Sequence, residues 1–139
     1  MSRIPKELLN AYKRTDFIFY PQDDISIIKI GKNNKKLDKI LSLLEISSAL
    51  FITAWNPYSK QMTPSANKKN QNRLIRMLKK QGTKFSFGSG RSEDLKFHED
   101  SILAYGCSRK EAASLGKQFH QNAVVFYEKG KAAKLLLLK

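Results

Sequence analysis

Apolar residues in this chain recur at two periods, one helical and one of strands. Leu37, Ile40, Leu41 and Leu44 fall three or four apart, which predicts an amphipathic helix over 35–45. Leu8, Leu9 and Tyr12 supply an apolar side to a shorter helix over 4–12, with Ser2 able to cap it and Pro5 suited to its first turn. Leu74, Met77 and Leu78 form the core stripe of a longer helix, which Thr63-Pro64 opens as cap and first-turn residue and which ends near Gln81, with Gly82 beyond. Ser108 and Glu111 have the spacing of a capping box, and the helix they open carries Ala112, Leu115, Gly116 and Phe119 on one face.

Between these helices lie short β-rich runs. They are expected at 16–20, 25–30, 49–55, 101–105, 124–127 and 133–138, with a further strand at Phe85 and Phe87 that Gly88-Ser89-Gly90 breaks. The run at 49–55 is apolar throughout, as a central strand covered on both faces would be, and it stops before Pro57. Helices interleave with strands, while hairpins occur near both ends. The expected class is α+β: a single domain over 1–139 with a mixed sheet and about four packed helices. A three-layer α/β sandwich is the alternative.

Charge changes the picture. The chain has 26 Lys and Arg against 12 Asp and Glu, a formal net charge of +14. Residues 51–90 carry eight basic side chains and no acidic one. Within that block Lys69, Arg73, Arg76 and Lys80 recur along one helical face without the acidic i,i+4 partners of an ordinary solvated face. Such a stripe is the electrostatic footprint of binding to a phosphate backbone. No sequence motif for base readout accompanies it.

Other patterns exclude more than they indicate. The single cysteine, Cys107, rules out a disulfide within the chain and a Cys-rich zinc site. The N-terminus lacks the apolar run of a signal peptide, and no apolar stretch is long enough to cross a bilayer. Together these favour a reducing cytoplasm. His98 and His120 are the only histidines, too few with Glu99 to predict a metal centre, and no motif implies a cofactor. Gly88-Ser89-Gly90 fits neither a P-loop nor a dinucleotide-binding turn and reads as a turn. Cys107 precedes the Ser108 cap, where a helix start lowers a thiol pKa, although a lone cysteine is more often a small buried apolar residue.

The strand end at Thr53-Ala54-Trp55-Asn56, the polar loop after it and the start of the next helix meet where open sheets place ligands. Stepping back from Leu74 puts Asn70 and Asn67 on the core-facing side of that helix, where each amide needs partners. Asn56 and Asn67 either tether this loop or face a ligand. Gln121 and Asn122 either cap the helix before them or complete a polar pocket with Asn56 and Glu99.

The block Phe51-Ile52-Thr53-Ala54-Trp55-Asn56-Pro57-Tyr58-Ser59 is followed in order by Asn67, by Glu99-x-Ser101 and by Phe119-x-Gln121-Asn122-Ala123. In this combination the chain resembles the domain of unknown function 3293 family, small bacterial proteins, from about Tyr12 to Tyr127. It departs from the family pattern at His120, where a glycine is expected. The resemblance implies a bacterial cytoplasmic protein and no particular reaction. It also groups Thr53, Asn56, Ser59, Asn67, Glu99 and Gln121 as one candidate site. Three readings follow. The leading one is a basic module that binds a polyanion, most readily nucleic acid, through Lys69, Arg73, Arg76 and Lys80. The second is a small-ligand or nucleotide pocket, enzymatic or not, built from Asn56, Asn67, Glu99 and Gln121. In the third the polar residues only pin loops.

Overall fold

The computed structural model describes residues 4–92 and 98–138. In chain order the elements are α1 (Lys6–Arg14), β1 (Asp16–Phe19), β2 (Ser26–Ile28), α2 (Lys35–Leu44), β3 (Ser48–Ile52), a single 3-10 turn (Pro57–Ser59), α3 (Pro64–Lys80), β4 (Phe85–Arg91), β5 (His98–Tyr105), α4 (Arg109–Gln118), β6 (Ala123–Glu128) and β7 (Lys134–Leu137). The class is α+β. The strands form one sheet in the order β2-β1-β4-β5-β3-β6-β7. Every ladder is antiparallel. The mixed character expected of the sheet is confined to one parallel bridge, between Ile30 and Ala133. That bridge joins the chain just after β2 to the chain just before β7, so the sheet curls until its two edges meet.

Curling gives each strand an inner and an outer face. Ala49 and Phe51 of β3 point inward and Leu50 and Ile52 outward, as a two-residue period requires. Inside, Phe17, Phe19, Leu103, Tyr105 and Tyr127 pack with Leu37 and Leu41 of α2. Outside, Ile102, Ala104, Val124 and Phe126 are covered by Leu74 and Leu78 of α3 and by Ala112 and Leu115 of α4. β3 is thus covered on both faces, though its ladder ends at Ile52 rather than running on to Trp55.

The helix signals act where the sequence places them. Thr63 caps α3 by accepting the Ala66 N–H, and Ser108 and Glu111 form a complete capping box on α4. The Ser2 cap expected for the first helix lies outside the described residues; Pro5 stands at the N-cap there. The break expected at Gly88-Ser89-Gly90 is absent: β4 runs through it, and β5 begins at His98 rather than Ser101. The glycines serve close approach. A Cβ on Gly88 would lie 2.4 Å from the Ile18 carbonyl oxygen and 3.1 Å from the Phe51 ring. Gly90 stands in the ladder between Phe17 of β1 and Glu99 of β5. Having no side chain, Gly90 adds none to the inner face beside Glu99.

Candidate functional site

Beyond Ile52 the chain leaves the sheet through a sequence of polar ties. The Thr53 hydroxyl donates to the Asp100 carbonyl at 2.6 Å and accepts the Trp55 N–H at 3.0 Å. Asn56 then adopts a left-handed conformation, φ 45°, which asparagine tolerates better than most residues. Its backbone N–H donates to Asn67 Oδ1 at 2.8 Å. Its side-chain oxygen accepts from Asn67 Nδ2 and from the Met62 N–H, both at 3.0 Å. Those three bonds fix which way the Asn56 amide faces, and its remaining nitrogen donates to Glu99 Oε2 at 2.9 Å.

Asn67, in the first turn of α3, is 3% exposed and spends both ends of its amide on Asn56. One turn on, Gln71 accepts the Ala54 N–H at 2.9 Å. Gln71, not Asn70, is therefore the second buried amide of α3, because 67, 71, 74 and 78 form the face that meets the sheet. Gln121 donates to the Trp55 carbonyl at 3.1 Å and the Phe119 carbonyl at 3.3 Å, while Asn122 donates to the Ser59 hydroxyl at 2.9 Å. His120 has φ 56°, the conformation a glycine would take most easily, and its carbonyl accepts the Tyr58 N–H at 2.6 Å. Tyr58 and Ser59 are left-handed too, at φ 54° and 61°.

Thr53, Asn56, Ser59, Asn67, Glu99 and Gln121 all line one cavity of about 990 Å³. Its floor is the inner sheet face at Phe17, Phe51 and Val125, and Leu8, Ala11 and Tyr12 of α1 cover one side. Glu99 shares the parity of Leu103 and Tyr105 on β5, which turns its carboxyl inward. Burial pushes that carboxyl up to about 7, against the opposing pull of the Asn56 amide. Oε2 accepts from Asn56, whereas Oε1 has no partner among the described residues. The Tyr12 phenol is raised by burial and by the Glu99 charge, with the Ser59 hydroxyl opposing.

Two features outside the cavity bear on the expectations. Lys69, Arg73, Arg76 and Lys80 are all exposed, and none forms an ion pair among the described residues. The Arg73 guanidinium lies 5.3 Å over the Phe119 ring. Cys107 is half-buried, and burial with the nearby Glu111 charge raises its thiol pKa, the opposite of the lowering expected at a helix start. Among the described residues no three His, Cys, Asp or Glu side chains cluster to hold a metal ion.

Tyr12 and Gln71 escaped sequence reasoning. Gln71 was signalled by its four-residue step from Asn67, but nothing local marks Tyr12, which reaches the cavity only because α1 folds over it.

Fold and site together define an α+β protein with a curled antiparallel sheet and a polar-rimmed cavity at one end of its inner face. The family model described as "Protein of unknown function (DUF3293)" matches residues 52–124, and the chain belongs to that family. The matched span contains all ten candidate residues but not Tyr12 or Phe17. No curated protein and no solved structure matches the chain.

Proposed function

We propose that this protein binds a small organic ligand in the cavity between α1, the β3–α3 connection and the inner sheet face. Glu99 is its central polar contact and the group that can exchange a proton with what is bound. One observation carries this reading: polar side chains from the β3–α3 connection, α3, β5 and the segment before β6 line a single cavity, and the Glu99 carboxyl among them is half-buried with Oε1 unpartnered among the described residues. Asn67 and Gln71 fit a tethering role, since their bonds go to the loop they hold. Glu99 does not. A buried carboxyl is costly, and an amide or apolar side chain would pin the loop at less expense. A pKa near the working pH is what proton transfer requires. The setting proposed is a bacterial cytoplasm, supported by the family resemblance and the lone Cys107.

Ligand-observed NMR of a fragment library against the wild type and Glu99→Gln tests this. The expected result is a set of fragments that bind the wild type and lose binding in the variant, with both proteins equally folded by circular dichroism. A library that binds both alike, or neither, contradicts the reading. A second reading, that α3 docks a nucleic-acid backbone, is favoured by the exposure and lack of ion pairs along Lys69, Arg73, Arg76 and Lys80.

A further inference from the structure

We propose that the ligand of this cavity is a small organic cation, an ammonium or amidinium group set against Glu99 and carried on an apolar or aromatic body. The proposal rests on the cavity reading above and deepens it. Charge is the first argument. Although the chain holds 26 Lys and Arg, Arg14 is the only one that lines the cavity among the described residues. None of the eight basic residues of 51–90 does so, while Thr53, Asn56, Ser59, Asn67 and Gly90 from the same stretch do. Among the described residues Glu99 is the only carboxylate there. Among the described residues the cavity thus holds one cation, Arg14, and an anion entering it would also meet the Glu99 carboxyl.

Hydrogen-bonding capacity is the second argument. The Asn67 nitrogen is engaged with Asn56, and the Gln121 nitrogen with the Trp55 and Phe119 carbonyls. The Asn56 oxygen already accepts twice. Besides the Trp55 Nε1–H, a buried donor without a partner among the described residues, what remains open among these groups is an acceptor, Glu99 Oε1. A donor-rich head satisfies it, and the cation also offsets the penalty of ionising a buried carboxyl. The third argument is the walls. Tyr12, Phe17, Phe51 and Trp55 line the same cavity as the carboxyl, and aromatic faces attract ammonium and amidinium groups while packing an apolar body.

Among the described residues three other titratable or charged groups line the cavity: Tyr12 and Arg14 from α1, and His98 next to Glu99 in β5. β3, α3 and β4 present only neutral groups, Asn56, Asn67 and Gly90. Arg14 is exposed at the rim. A histidine also changes charge between pH 5 and 8, so a His98→Asn variant isolates the part of the pH dependence that belongs to the carboxyl. A cation requires it ionised, so binding below pH 7 releases a proton and affinity rises with pH.

The test uses three isosteres of different charge, benzylamine, benzyl alcohol and benzoate, with benzamidine as a second cation. Binding is measured by ligand-observed NMR and calorimetry at pH 6 and pH 8 in 0.15 M salt. The expected result is that the two cations bind, and that their affinity rises about ten-fold from pH 6 to pH 8 as Glu99 ionises. Glu99→Gln should weaken them at least ten-fold, while benzoate fails to bind. The pH dependence is read on the wild type and on His98→Asn, which keeps the test decisive even if Glu99→Gln folds poorly: a rise that persists in His98→Asn belongs to Glu99, and one that vanishes overturns the assignment. Tighter Glu99-dependent binding of benzyl alcohol or benzoate overturns the cation assignment and leaves the cavity reading standing. No binding by any of the four overturns the assignment, and a fragment library that also yields nothing removes the cavity reading with it.

Discussion

Glu99 shows what a single residue's surroundings can do to both function and stability. Its carboxyl titrates near 7 in the fold and near 4.5 when unfolded, so the native state favours the protonated form. The resulting stability is fully present below pH 4.5 and is lost as pH rises through 7. A shift of that size corresponds to about 3 kcal/mol. Urea unfolding at pH 5 and pH 8 should therefore show the wild type losing about 2.5 kcal/mol relative to Glu99→Gln, whose amide does not titrate. Parallel pH profiles would contradict a buried carboxyl. Around it, Asn56, Tyr58, Ser59 and His120 all hold left-handed backbones, a concentration of strain of the kind found at functional sites. The sequence marks Asn56-Pro57 as a turn. It does not mark the handedness, which is set by the contacts with Asn67 and His120 across the fold.

At the scale of elements, what was legible was local. α3 and α4 start where their caps stand, because Thr63, Pro64 and the Ser108–Glu111 pair act within one turn. Strand partners were not legible, because β1 pairs with β4 across two intervening helices and nothing local encodes that choice. β4 itself is hidden by its glycines. These normally signal a turn, but here they let β1 and the Phe51 ring approach its inner face. The consequence is testable. Gly88→Ala places a methyl group 2.4 Å from the Ile18 carbonyl oxygen, a backbone atom that can move only with its strand. The expected loss is roughly 1–3 kcal/mol in thermal or denaturant unfolding. An unchanged midpoint would show that β1 does not press against β4 there.

Across the whole molecule, charge and cavity are kept apart. α3 carries six basic side chains and no acidic one, whereas the cavity opens near the start of that helix and, among the described residues, takes in one exposed arginine. The basic stripe was readable from spacing alone, since Lys69, Arg73, Arg76 and Lys80 need only one helix to align them. The six-residue site was grouped by family resemblance, and its convergence needed the curl of the sheet and the placement of α1. If α3 docks nucleic acid by four phosphate contacts, affinity for short RNA or DNA should fall roughly 100-fold between 50 and 200 mM salt. Arg73→Glu/Arg76→Glu should then abolish it. Binding that survives both reversals would contradict a role for this face.

The most direct test of the cavity is a ¹³C NMR titration of the glutamate carboxyl groups, with Glu99 assigned by its disappearance in Glu99→Gln. A midpoint near 7 is expected, moving downward when benzylamine is present. A midpoint near the ordinary 4.5, unmoved by the amine, would mean that the carboxyl is hydrated and that no enclosed site exists around it.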